Sequence, residues 1–106
     1  MRNNIKTYNK IARAVRDHGH ITVVFESQYG YIRKRKIFSD GRCFVSHQGL
    51  VSLRWDRYSV SCFIFKKKDK TLKKTIDTMY YHDNETDVWP IEMWINGEVE
   101  ELCSGL

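Results

Sequence analysis

After Thr75 the sequence contains no lysine and no arginine. Residues 1–75 hold all 18 of them against 5 acidic residues, a formal charge of +13. Residues 76–106 hold 8 acidic residues, a charge of −8, and the two segments together return the net +5 of the chain. Other scarcities narrow the class. One proline and six glycines among 106 residues exclude collagen-like repeats and flexible linkers. A composition 42% hydrophobic and 29% charged excludes a disordered chain. No apolar run approaches the ~18 residues of a membrane span. Met1-Arg2-Asn3-Asn4 leads into charged residues without an apolar signal core, so a cytoplasmic protein is expected. Cys43, Cys62 and Cys103 are odd in number, far apart and without a CxxC pair, which reads as reduced thiols. There is no phosphate-binding glycine loop, no dinucleotide fingerprint and no HExxH helix. No cofactor and no metal are therefore expected. The length suits one domain over 1–106, a basic body at 1–75 and an acidic segment at 76–106.

What is present is helical periodicity at the start and strand signals after it. Ile5, Tyr8, Ile11, Ala12 and Val15 recur at three- and four-residue spacing, with Lys6, Lys10 and Arg13 on the opposite face. Asn3 or Asn4 can cap this helix, and Gly19 can end it. His20 to Ser27 is rich in β-branched residues, and Tyr31 to Ser39 runs into the hairpin signal Asp40-Gly41 with Arg42 to Gln48 returning. Alternation predicts further strands at Val51–Trp55 and Tyr58–Phe65, followed by a solvated loop at Lys66–Lys70. Leu72 to Tyr81 fits a helix capped by Asp69, yet its threonines and paired tyrosines favour a strand, which is the reading taken. His82 to Asp87 reads as a polar loop, and Asn96-Gly97 as a hairpin between Ile91–Ile95 and Glu98–Leu102. The expected fold is α+β: one N-terminal amphipathic helix on a curved antiparallel meander of about five to seven strands.

Four constellations carry candidate chemistry. Tyr31, Arg33, Lys34, Arg35 and Lys36 place four cations beside a ring. On a strand, Tyr31, Arg33 and Arg35 share one face, suited to stacking a base and holding phosphates. Four cations exceed what a strand can bury, so both faces are expected to be wet there; the alternative is an edge strand protected by charge. Lys6, Lys10 and Arg13 could track a phosphate backbone, or simply form a solvated helix face. Lys66, Lys67 and Lys68, with Lys74 nearby, offer nonspecific phosphate affinity. The nucleic-acid reading strengthens if these patches share one surface and weakens if they scatter.

The acidic segment is the fourth. Asp87, Trp89, Glu92, Glu98 and Glu100 interleave carboxylates with large rings, as a surface for a basic partner would; alternatively the acids fold back and neutralise the body. The function expected is a non-enzymatic binding protein that engages nucleic acid or a nucleic-acid-handling complex. A second possibility is an inhibitor or adaptor of the anti-CRISPR or anti-restriction kind, docking on a host nucleic-acid enzyme. A third is a small metal-independent ribonuclease toxin using His20 or His47 with Arg33, Arg35 or Arg54.

Overall fold

The computed structural model describes residues 3–48, 60–62 and 71–102. Helix α1 (Ile5–His18) begins where Asn4 accepts a hydrogen bond from the Lys6 amide and ends at Gly19, φ +82°. The apolar stripe buries Tyr8, Ile11, Ala12 and Val15 as its periodicity requires, while Ile5 at the first turn stays 41% exposed. Asn3 does not cap; its amide group donates to the Val88 carbonyl at 2.7 Å and pins the entry of the helix to the far end of the chain.

Six strands form one antiparallel sheet. They are β1 (His20–Ser27), β2 (Ile32–Phe38), β3 (Cys43–Gln48), β4 (Val60–Cys62), β5 (Val88–Ile95) and β6 (Glu98–Glu101), in the order β4-β3-β2-β1-β5-β6. Strands β1 to β4 are the expected meander. The β5–β6 hairpin departs from it, joining the sheet on the other edge of β1. Asn96 and Gly97 both have positive φ, as a type I′ turn requires. Of the strands expected over 51–55 and 58–65, only 60–62 lies within the described residues.

The reading of 72–81 as a strand is wrong: Leu72–Thr86 is a second helix, α2. Its cap is Thr71, whose hydroxyl accepts from the Lys74 amide at 3.1 Å. Leu72, Ile76, Met79 and Asp83 form one buried stripe at four-, three- and four-residue spacing. The β preference of the threonines is overridden by tertiary contact: Thr75 turns inward and donates to the Gly41 carbonyl. His82 to Asp87 is likewise no loop, because the helix continues to Thr86 and stops at Asp87 in the left-handed region, φ 51°.

Both helices cover the same face. Alternate residues of the strands, Ile21, Val23 and Phe25 on β1, Ile37 on β2, Cys43 on β3 and Met93 on β5, meet Tyr8, Ile11, Val15, Ile76 and Met79. Full burial of such side chains contributes about 1.5–3 kcal/mol each. In the middle of this apolar layer stands a polar node. Asp83 of α2 accepts from the Tyr8 hydroxyl of α1 at 2.6 Å and from the Arg35 guanidinium of β2 at 2.7 Å, all on one carboxylate oxygen. Arg35 also lies over the Phe25 ring at 4.3 Å.

Burial and the neighbouring Asp83 carboxylate raise the Tyr8 phenol far above its ordinary value near 10. The unfolded chain releases that proton above pH ~10 while the folded one keeps it, so this contribution to stability is complete below pH ~10 and is lost as pH climbs toward the raised folded value. Urea unfolding followed from pH ~9 to ~11 is expected to fall less steeply for Tyr8→Phe than for the parent, by up to ~1.4 kcal/mol per pH unit.

Candidate nucleic-acid interface

Because both helices sit on one side, alternate side chains of every strand project from the other, and among the described residues no helix covers them. The pairing register arranges them in rows across the strands. One row runs Phe44, Lys36, Thr22, Trp94, Val99. The next runs Lys34, Val24, Glu92, Glu101. A third pairs Phe38 with His20 at the end of the sheet nearest the β2–β3 turn.

The rings and cations of this face touch. Phe38 meets Phe44 edge-on with centroids 5.8 Å apart and lies 5.6 Å from His20. The Arg42 guanidinium stands 4.3 Å from the Phe38 centroid, and the Lys36 ammonium 5.5 Å. Phe44 remains 36% exposed, directly across the ladder from Lys36. Toward β5, the Lys34 ammonium sits 4.1 Å over the Trp94 ring, whose indole N–H donates to Glu92 at 2.9 Å. Burial lowers the Lys34 pKa and the charge of Glu92 opposes that shift. The face is therefore polarised: Lys34, Lys36 and Arg42 lie on the β2–β3 side, Glu92 and Glu101 on the β5–β6 side. Arg42 is held by Asp40 at 2.8 Å with both groups largely in water, a contact of little energetic weight.

No protein-family model matches the chain, and neither does any curated protein or solved structure. The site thus rests on its own geometry.

The residues singled out in the sequence scatter, which weakens a nucleic-acid reading built on one shared basic surface and leaves only the cations of the helix-free face to carry it. Lys34 and Lys36 are on the helix-free face. Lys6, Lys10 and Arg13 are on the outer side of α1, across the sheet from them, and Lys74 is exposed on α2. Arg35 is not a surface cation: at 1% exposure it belongs to the node with Asp83, because a buried carboxylate three elements further along the chain supplies the partner that a strand alone could not. The expectation that both faces of this strand are wet fails for the same reason. Arg33 is half-buried on the helix side, its pKa lowered by burial and by the neighbouring Arg35 charge. Tyr31 lies just before β2, 46% exposed. Lys66, Lys67, Lys68 and Arg54 lie outside the described residues.

The acidic set also divides. Trp89 and Glu92 are on β5, Trp89 pairing across the ladder with Glu26. Asp87 is the left-handed residue that ends α2. Glu98 and Glu100 point to the helix side of β6, where Glu100 reaches Lys10 at 2.7 Å. With Asp83 on Arg35 and Glu92 beside Lys34, the acidic segment folds onto the basic body at three points, so the two signs are not separate ends of the molecule.

Of the histidine–arginine pairings expected, the sheet separates His20 from Arg33 and Arg35. His20 packs on Phe38 on the helix-free face, whereas Arg33 and Arg35 face the helices, so the sheet itself stands between them. The His47 backbone pairs with Arg33. Among the described residues no three His, Cys, Asp or Glu side chains are grouped to hold a metal. No helix among them is long and apolar enough to cross a membrane. The sequence patterns above do not pick out Phe38, Phe44 and Arg42. Their signal is nonetheless there: with the hairpin turn placed at Asp40-Gly41, the two strands carry Lys36, Phe38 and Phe44 on one parity.

Proposed function

We propose that the protein is a non-enzymatic nucleic-acid-binding module and that its ligand lies on the helix-free sheet face. The observation carrying this reading is the cluster in which Phe38 meets Phe44, Lys36 and Arg42. The exposed Phe44 ring supplies a stacking surface, and cations at the same end supply phosphate neutralisation. The acids of β5 and β6 confine a polyanion to the β2–β3 half and set its position without adding affinity. The α1 cations are a weaker candidate, since the one large ring of that helix, Tyr8, is buried on its other side.

The test is a low-salt titration against labelled nucleic acid with two charge-removing variants. Replacing Lys34 and Lys36 by glutamine is expected to weaken binding and to flatten the dependence of log affinity on log salt by about 1.4–1.8 units, about 0.7–0.9 for each cation removed. Replacing Lys6, Lys10 and Arg13 by glutamine is expected to leave both nearly unchanged. The reverse ranking would move the interface to the helix.

A second reading, a protein inhibitor or adaptor, is favoured by one feature. Strand β6 is an outer strand whose four residues are all exposed, three of them glutamates, with Val99 56% exposed between them. Such an edge suits a basic extended segment of a partner protein. If no nucleic acid binds at low salt, this reading replaces the first.

A further inference from the structure

Resting on the nucleic-acid reading, we infer that the ligand is single-stranded, with a base against the exposed Phe44 ring, which Phe38 backs, and phosphates along Lys34, Lys36 and Arg42. Three features of the face lead there. First, it is a sheet surface from which, among the described residues, no helix or ribbon projects, so nothing is shaped to enter a duplex groove and read base edges. Second, its apolar chemistry is aromatic and partly in water, and a ring can stack only on a base whose own face is free. Third, among the described residues the cations of this face are few. A duplex binder commonly neutralises several phosphates on two strands, whereas Lys34, Lys36 and Arg42 form a short track suited to one.

The dimensions agree. From Phe44 on β3 to Trp94 on β5 the row crosses three strand spacings of ~4.8 Å, about 14 Å. That is an outer limit of about four nucleotide rises of ~3.4 Å, since the acidic half of the face begins at Trp94. Lys36 stands within this span, between the ring at each end. Trp94 marks its acidic limit: Lys34 covers the indole and Glu92 holds its N–H, so the strand is kept to the β2–β3 side.

The deciding experiment measures fluorescence anisotropy of the full chain with a labelled oligo(U) and an oligo(dT) of about 12 nucleotides, within the ~4–16-nucleotide sites of small sheet-based binders. A blunt duplex of equal length serves as comparison, over a series of salt concentrations. The single strands are expected to bind at least tenfold more tightly than the duplex, with a log–log salt slope of about −2, as three contacts on one strand require. Phe44→Leu, which keeps apolar volume without a ring, is expected to lose about fivefold or more, and Phe44→Tyr to bind like the parent. Matching urea midpoints confirm that both variants fold. Duplex binding as tight as single-strand binding, or Phe44→Leu binding like the parent, would overturn the single-strand assignment while leaving nucleic-acid binding in place. Absence of binding to all three probes at low salt would overturn the reading on which it rests.

Discussion

Asp83→Ala is expected to lower the stability of the fold by about 3–5 kcal/mol, measured by urea unfolding at neutral pH. The carboxylate is completely buried and serves two donors at 2.6 and 2.7 Å. Removing it takes the carboxylate from a guanidinium at 1% exposure and from the Tyr8 hydroxyl, both in an apolar layer. Such a loss takes a large part of the ~5–15 kcal/mol that holds a typical domain together. Asp83→Asn keeps the volume and a carbonyl acceptor but removes the charge, and should cost less than alanine. Replacing the whole node, with Tyr8→Phe, Arg35→Met and Asp83→Leu together, should recover most of the deficit, because no desolvated charge then remains. A cost below about 1 kcal/mol for Asp83→Ala would mean that the node does not tie α1, α2 and β2 together.

Gly41→Ala is expected to cost about 3–4 kcal/mol, far more than alanine at Gly19 or Gly97. Gly41 has φ +94°, which by itself strains an L-residue by ~1–2 kcal/mol. A β-carbon there would stand 2.7 Å from the carbonyl carbon and oxygen of Thr71. Thr71 cannot retreat freely, since its hydroxyl caps α2 and loss of a cap costs ~1 kcal/mol. The Gly41 carbonyl meanwhile accepts from Thr75, and separating the two forfeits a buried hydrogen bond worth ~1 kcal/mol. Gly19→Ala and Gly97→Ala meet no atom within 4 Å and should show the backbone strain alone. Equal urea midpoints for all three variants would contradict the contact between this turn and the helix start.

These two residues mark where the sequence is legible and where it is not. The α1 stripe, the first three strands and the Asn96-Gly97 hairpin follow from local period and turn chemistry, which need no distant partner. Helix α2 is hidden because its inward stripe ends in Asp83, and a carboxylate reads as surface until Arg35, 48 residues away, supplies its counter-charge. Arg35 is misread for the mirror reason. Thr75 counts toward strand because its hydroxyl partner is Gly41, 34 residues earlier. The candidate site is half legible: Lys34 and Lys36 stand out as cations, but their face is known only once both helices are assigned to the other side. Phe38 and Phe44 carry no charge to mark them, and only the helix-free face gives their rings a role beyond packing.

The most direct measurement is a heteronuclear NMR titration of the isotope-labelled protein with the single-stranded oligo(U). Binding on the helix-free face predicts amide and ring shifts at Thr22, Lys34, Lys36, Phe38, Arg42 and Phe44, with Lys6, Lys10 and Arg13 unmoved. Shifts gathered along α1, or along β6 with the β2–β3 rings silent, would contradict it.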